Sequence, residues 1–219
     1  LYDQWEGVRI LVPRTMVITT DYFDQFIHDN GLQYVINSEI SDEEILSEFV
    51  ASTLPHELTE ALRHFIRVSH RPIAVRSSSK LEDSYYQPFT GVYSTYMIPH
   101  TENEDQELRL LSTAIKSVYA SVYYAASRGY ITSTANVLSE EQMAIIVTEV
   151  CGERVGDYYF PVISGVARSI NFYPVGYEKP EEGIVKVAYG LGKAVVDGDQ
   201  VLRFSPAHPK HVMQTSTPD

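Results

Sequence analysis

The sequence has a single cysteine, Cys151. One cysteine allows no intrachain disulfide and no cysteine-based zinc cluster, and it fits a reducing, cytoplasmic setting. No run approaches the roughly 20 apolar residues of a bilayer-spanning helix. The opening Leu1-Tyr2-Asp3-Gln4-Trp5-Glu6 carries neither a basic flank nor an apolar signal core. It also lacks a Met, and the chain is expected to be a piece of a longer protein. Positive charge is scarce: 17 Lys and Arg stand against 29 Asp and Glu, a net charge of −12. That balance argues against a global electrostatic grip on nucleic acid or on an anionic membrane surface. A phosphorylated ligand stays open, because one Arg and a few backbone N–H groups hold phosphate whatever the total charge.

Several motifs are missing as well. Gly190-x-Gly192 lacks the third Gly and the later acidic residue of a dinucleotide fingerprint, and reads as a tight turn. No Gly-rich loop ends in Lys-Ser or Lys-Thr, so a P-loop nucleotide site is excluded. There is no Gly-x-Ser-x-Gly elbow, and Cys151 has no evident His partner, so nucleophilic catalysis has no support. His208 and His211 are separated by Pro209 and accompanied by no carboxylate cluster, which favours a surface loop over a metal site. No internal repeat, low-complexity tract or linker is evident.

What is present describes a globular chain. Its 219 residues, 44% hydrophobic and 21% charged, allow one sizeable core or two small lobes. Val8–Pro13 and Met16–Thr20 read as extended pieces. A helix is expected from Asp21, with Phe23, Phe26 and Ile27 on one face and Asn30-Gly31 as its stop. Ser41-Asp42-Glu43-Glu44 has capping-box form, and Pro55 opens a helix with Leu58, Leu62, Phe65 and Ile66 as its buried face. Pro72–Val75 and Tyr93–Ile98 read as strands, and Leu108–Arg128 as one long helix. Met143–Val147 reads as a central strand; Gly165–Ile170 and Gly183–Tyr189 are further strands. Helices dominate the first half and strands the second, an α+β arrangement. The sixteen tyrosines, with doublets such as Tyr123-Tyr124 and Tyr158-Tyr159, suit amphipathic burial at element margins.

Arg76 is the most informative residue. It ends an apolar strand, where the chain emerges from the core, and three serines follow it. Its planar fork of donors suits phosphate oxygens. The alternative is a structural Arg paired with Glu82 or Asp83.

Ala74-Val75-Arg76-Ser77-Ser78-Ser79-x-x-Glu82-Asp83, followed by Phe89-x-Gly91-x-x-x-Thr95, resembles the N-terminal nucleotide-binding domain of phosphoenolpyruvate synthase and the related domain of pyruvate phosphate dikinase. Val12-Pro13 through Thr19-Thr20-Asp21, Val118-Tyr119-Ala120-Ser121, Ser164-Gly165-Val166 and Tyr189-Gly190-Leu191-Gly192 agree with it in order. The resemblance spans about Val12 to Pro206. It implies an ATP-grasp-like α+β fold, mainly helical in its N-terminal part and with a mixed β-sheet in its C-terminal part. It further implies one partial nucleotide-binding domain over residues 1–219, with lobes of about 1–100 and 101–219, truncated at both ends. It implies ATP and Mg2+ as cofactors, phosphoryl transfer to a phosphohistidine domain elsewhere in the parent protein, and a separate pyruvate-binding domain.

Residue by residue, the resemblance implies that Arg76, with Ser77, contacts phosphate. Thr90, Gly91 and Thr95 match a loop approaching the phosphates. Thr148 and Val150 fall at a strand edge meeting the adenine, where backbone groups would read the base. Glu82 and Asp83 match an acidic pair, either metal-binding or orienting Arg76. The chain also departs from the family. It has no upstream phosphate-binding Lys segment and no late metal-binding Glu and Gln. Thr90, Val92, Ser94, Thr148 and Lys193 stand where Ala, Gln, Glu, Gln and Glu are usual. Lys193 reverses a charge, and either meets a phosphate or caps a turn. A non-catalytic nucleotide-sensing or interaction module is the alternative function.

Overall fold

The structure, a computed structural model, describes residues 6–8, 10–79, 93–133, 142–197 and 201–212. The chain divides into two compact units, Leu1–Val150 and Cys151–Asp219. The lobe boundary expected near residue 100 lies within the first of them.

Helices of the first unit follow their apolar spacing. α1 (Thr20–Asp29) buries Phe23, Phe26 and Ile27. The Asn30 side chain closes its end, donating to the Phe26 carbonyl at 2.8 Å and to the Thr53 carbonyl at 3.0 Å. A short α2 (Gln33–Asn37) follows. α3 (Asp42–Ala51) starts at the expected capping box: the Glu44 N–H donates to Ser41 Oγ at 3.2 Å, and the Ser41 N–H donates to the Glu44 carboxylate at 2.9 Å. Ser41→Ala is expected to lower stability by about 1 kcal/mol in a denaturant melt, because it strips a cap acceptor. α4 (His56–Val68) begins directly after Pro55 and buries Leu58, Leu62, Phe65 and Ile66.

The long helix expected over Leu108–Arg128 is two helices, α5 (Glu104–Ser121) and α6 (Ala125–Ser133). The break is stabilised by a later side chain. The Arg128 guanidinium donates to the Tyr123 carbonyl at 2.6 Å, and also to the Ser38 and Val35 carbonyls at 2.7 and 2.6 Å. One cation thereby satisfies carbonyls freed both at the break and at the end of α2. Aromatic rings fill the space among α1, α3 and α5. Phe23 meets Tyr119 edge-on at 5.0 Å, and Phe26 meets Phe49 at 5.8 Å.

Four strands complete the first unit: β1 (Thr15–Ile18), β2 (Ile73–Ser79), β3 (Tyr96–Ile98) and β4 (Met143–Glu149). They pair antiparallel in the order β1-β4-β2-β3, so β4 is an inner strand, as its apolar run suggested. The piece at 8–13 joins no strand among its described residues, and Pro13 lacks the N–H that a ladder needs. One face of the sheet packs on α1 and α5 and buries Ile18, Ile73, Val75, Ile98, Met143, Ile145 and Val147.

The second unit opens with a hairpin, β5 (Glu153–Val155) and β6 (Tyr158–Phe160). A three-stranded antiparallel sheet follows: β7 (Ile163–Arg168), β8 (Ile184–Tyr189) and β9 (Leu202–Phe204). A short α7 (Lys193–Asp197) lies between β8 and β9. Gly183 enters β8 at φ +74°, and a Cβ there would sit 2.4 Å from the Arg168 carbonyl oxygen. Gly183→Ala is expected to lower the melting temperature through a cost of roughly 1–3 kcal/mol, from backbone strain together with that clash. Among the described residues no helix is long and apolar enough to cross a membrane.

Candidate functional site

The other face of the first sheet is polar where β2 and β4 meet and apolar at its flanks. Side chains alternate across a strand, so Ala74, Arg76 and Ser78 share this face on β2. In register, Arg76 lies opposite Ile146 and Ala74 opposite Thr148; across β4, Thr148 lies opposite Thr15 and Ile146 opposite Val17. Arg76 and Thr148 are diagonal neighbours, about 7–8 Å apart between backbones. Val17 and Met97 are each 59% exposed and flank the polar centre on this face.

Arg76 is exposed, and among the described residues no carboxylate pairs with it. Among the described residues its neighbours on this face are hydroxyl-bearing or apolar. Thr148 is tied at its side chain: its Oγ1 lies 2.8 Å from Thr15 Oγ1 and donates to the Arg14 carbonyl at 3.2 Å. The Arg14 carbonyl also accepts the Glu149 N–H at 2.9 Å. Arg14, whose neighbour Thr15 holds the open face, pairs instead with Glu149, 3.7 Å away.

The expected site residues separate into groups. Arg76 and Thr148 share the open face. Thr95 is exposed and lies one residue before the Val75–Tyr96 pair, at the Arg76 end of β3. Ser77 falls by alternation on the opposite face and is not left without a partner. Thr148 is not at a strand edge: β4 is flanked by β1 and β2, and its backbone groups serve the ladder. Val150 follows β4, and its N–H donates to the Pro72 carbonyl at 2.8 Å, leaving that N–H no capacity to read a base. Thr90, Gly91, Glu82 and Asp83 lie outside the described residues. Thr15 and Val17 were missed, because nothing in the sequence announces a pairing across some 130 residues, and Met97 because nothing announces its pairing with Ala74.

In the second unit, Gly190-x-Gly192 forms the expected turn, here leading from β8 into α7. Gly190 adopts φ +81°, its N–H donates to the Val162 carbonyl at 2.9 Å, and its carbonyl accepts the Ser164 hydroxyl at 2.7 Å. Lys193 is the first residue of α7. Among the described residues no three of His, Cys, Asp and Glu converge as a metal cage.

The sheet face therefore offers a fork of phosphate-suited donors, hydroxyls beside it and apolar side chains around it. The family model for the pyruvate phosphate dikinase AMP/ATP-binding domain matches residues 3–216. The chain belongs to this family. It is thus an AMP/ATP-binding domain of the pyruvate phosphate dikinase type. Two relatives agree. The uncharacterized phosphotransferase YvkC of Bacillus subtilis (strain 168) is 32% identical over 188 residues, covering 86% of this chain and 20% of that protein. The phosphoenolpyruvate synthase of Aeropyrum pernix is 24% identical over 210 residues, covering 86% of this chain and 24% of that protein. The chain spans about a fifth to a quarter of the length of these relatives.

Proposed function

We propose that this AMP/ATP-binding domain holds Mg-ATP on the open face of its first sheet. The parent protein then transfers a phosphoryl group to a histidine on another domain and from there to pyruvate. The single observation behind this reading is Arg76: an exposed guanidinium, without a described acidic partner, at the centre of a face otherwise made of hydroxyls and apolar side chains. Phosphoryl transfer is accelerated mainly by positioning and by charge placed against developing negative charge, which a strand-mounted guanidinium supplies. In this reading Arg76 grips phosphate, the Thr95 and Thr148 hydroxyls lie beside it, and Val17 and Met97 give the apolar base something to rest on. Thr90 and Gly91 remain proposed loop contacts. Val150, next to β4, and Ser77, next to Arg76, remain proposed contacts. An ATP-grasp-like architecture belongs to the same proposal.

The donor set suits a nucleotide better than a metal ion. With no convergent carboxylates or histidines, the described residues of this face do not fit a protein-held Mg2+.

The test is a calorimetric titration of the full-length protein with Mg-ATP. Micromolar-range affinity, about −8 kcal/mol, is expected. Absence of binding to the folded protein would sink the reading. Binding without any ATP-dependent phosphohistidine would favour the nucleotide-sensing alternative over transfer.

A further inference from the structure

One row of side chains crosses the open face of the first sheet from strand to strand. The register places Met97, Ala74, Thr148 and Thr15 side by side on β3, β2, β4 and β1. The row ends in two hydroxyls, with Thr148 Oγ1 and Thr15 Oγ1 2.8 Å apart. Each also reaches a backbone carbonyl: Thr148 that of Arg14 and Thr15 that of Pro13, both at 3.2 Å. Two protons thus serve three contacts, because a hydroxyl carries one donor and two acceptor lone pairs.

Two arrangements avoid setting lone pairs against each other across the 2.8 Å contact. In one, Thr15 donates to Thr148 and Thr148 donates to the Arg14 carbonyl. In the other, Thr148 donates to Thr15 and Thr15 donates to the Pro13 carbonyl. Both protons stay within the chain either way, and Thr148 Oγ1 keeps a free lone pair either way.

That leaves Thr148 with a preference. A ligand offering it an N–H or O–H adds a hydrogen bond and breaks none. A ligand offering it an acceptor, such as a phosphate oxygen, must first take a proton out of an existing bond. Arg76 is the opposite kind of group, since a guanidinium has five N–H donors and no acceptor. It lies one strand over and diagonal to Thr148. Arg76 is exposed and Thr148 half-buried. The face is therefore polarised, a pure donor on one diagonal and an acceptor on the other. A nucleotide is polarised in the same way: its phosphates accept, whereas its nucleoside donates through the ribose hydroxyls and the 6-amino group of adenine.

We propose that Thr148 Oγ1 is a specificity-determining acceptor for a donor of the nucleoside, with the phosphates lying toward Arg76. The inference rests on the nucleotide reading of this face. It moves to the Thr148 side chain the recognition expected of its backbone, which the sheet ladder occupies.

Calorimetric titration of the full-length protein tests it. The ligands are the Mg2+ complexes of ATP, inosine triphosphate, 2′-deoxy-ATP and 3′-deoxy-ATP. The first analogue exchanges the 6-amino donor for an acceptor, and the others each lack one ribose hydroxyl. The wild type is expected to prefer ATP over at least one analogue by about three- to tenfold, the worth of one neutral hydrogen bond. Thr148→Val, which keeps the branched shape suited to a strand, should weaken ATP binding by that factor and abolish the preference. Thr148→Ser, which restores the hydroxyl, should restore both. The analogue against which preference is lost identifies the donor as the amino group or a ribose hydroxyl. A preference that survives in Thr148→Val, or a wild type that prefers ATP over none of the analogues, would overturn the proposal and leave the nucleotide reading standing. A folded wild type that binds none of the four would overturn that reading and this inference with it.

Discussion

Arg76→Ala is expected to weaken Mg-ATP binding by roughly 10- to 100-fold, the loss of about 1.5–3 kcal/mol of charge-assisted hydrogen bonding. The physical ground is that no acid among the described residues pairs with Arg76. A guanidinium already committed to a carboxylate would have to exchange one anion for another, at little net gain. One facing hydroxyls and apolar side chains on an open sheet can give its full fork to a phosphate. Because Arg76 is exposed and the described residues give it no ion pair, the same variant should keep its stability within about 0.5 kcal/mol. Arg76→Lys keeps the charge but loses the planar fork, so an intermediate affinity is expected. Calorimetric titration of the three proteins, beside their urea melts, makes the comparison. Unchanged affinity in Arg76→Ala would remove Arg76 from the site.

Arg203→Ala is expected to destabilise the second unit by about 3–5 kcal/mol, because it leaves the Glu178 carboxylate buried without its cation. The Glu178 and Arg203 side chains are only 3% and 15% exposed. Glu178→Gln, which removes the charge but keeps the shape, should cost less. Acid provides the second readout. Arg203 beside Glu178 holds its carboxyl below the ordinary 4.5, helped by the Val175 N–H and the Asn171 amide and opposed by burial. A carboxyl lowered in the folded state contributes stability that is fully present above its unfolded value and is lost as pH falls through the folded value. The native protein should therefore lose this contribution only below about pH 4.5. In Arg203→Ala burial acts without its main opponent, so the Glu178 contribution shrinks or reverses, and acidification should cost the variant less stability than the native protein. Melts of both proteins across pH 3–7 test the difference; identical profiles would show that the pair does not govern acid stability.

Local chemistry was legible in the sequence, and distant pairing was not. The apolar faces of α1, α3 and α4, the Ser41 capping box and the position of Arg76 at the end of an apolar run all depend on residues a few positions apart. The break after α5 was not legible, because Val122, Tyr123 and Tyr124 contain no helix breaker; Arg128, reaching back to carbonyls near residue 35, stabilises it. The strand order was equally hidden, and with it the fact that Thr148 lies inside the sheet rather than at its edge. The tyrosine doublets divided: Tyr123 is buried, whereas Tyr158 is 73% exposed on the β5–β6 hairpin. The buried Asn171 and Glu178 of the β7–β8 connection were hidden for the same reason, since the Glu178 carboxylate is held by Arg203, from β9.

The place of β4 also bears on how the chain is made. β1 is among the first described elements synthesised, yet its strand partner among the described residues is β4, which begins at Met143. At a ribosomal rate of about 5–20 residues per second, β1 waits on the order of ten seconds for that partner. Until then β2 also lacks its neighbour on that side, and both present unpaired backbone edges to other nascent chains. Synthesis that stalls before Glu149 therefore yields helices without a closed sheet, a product for chaperones rather than for nucleotide.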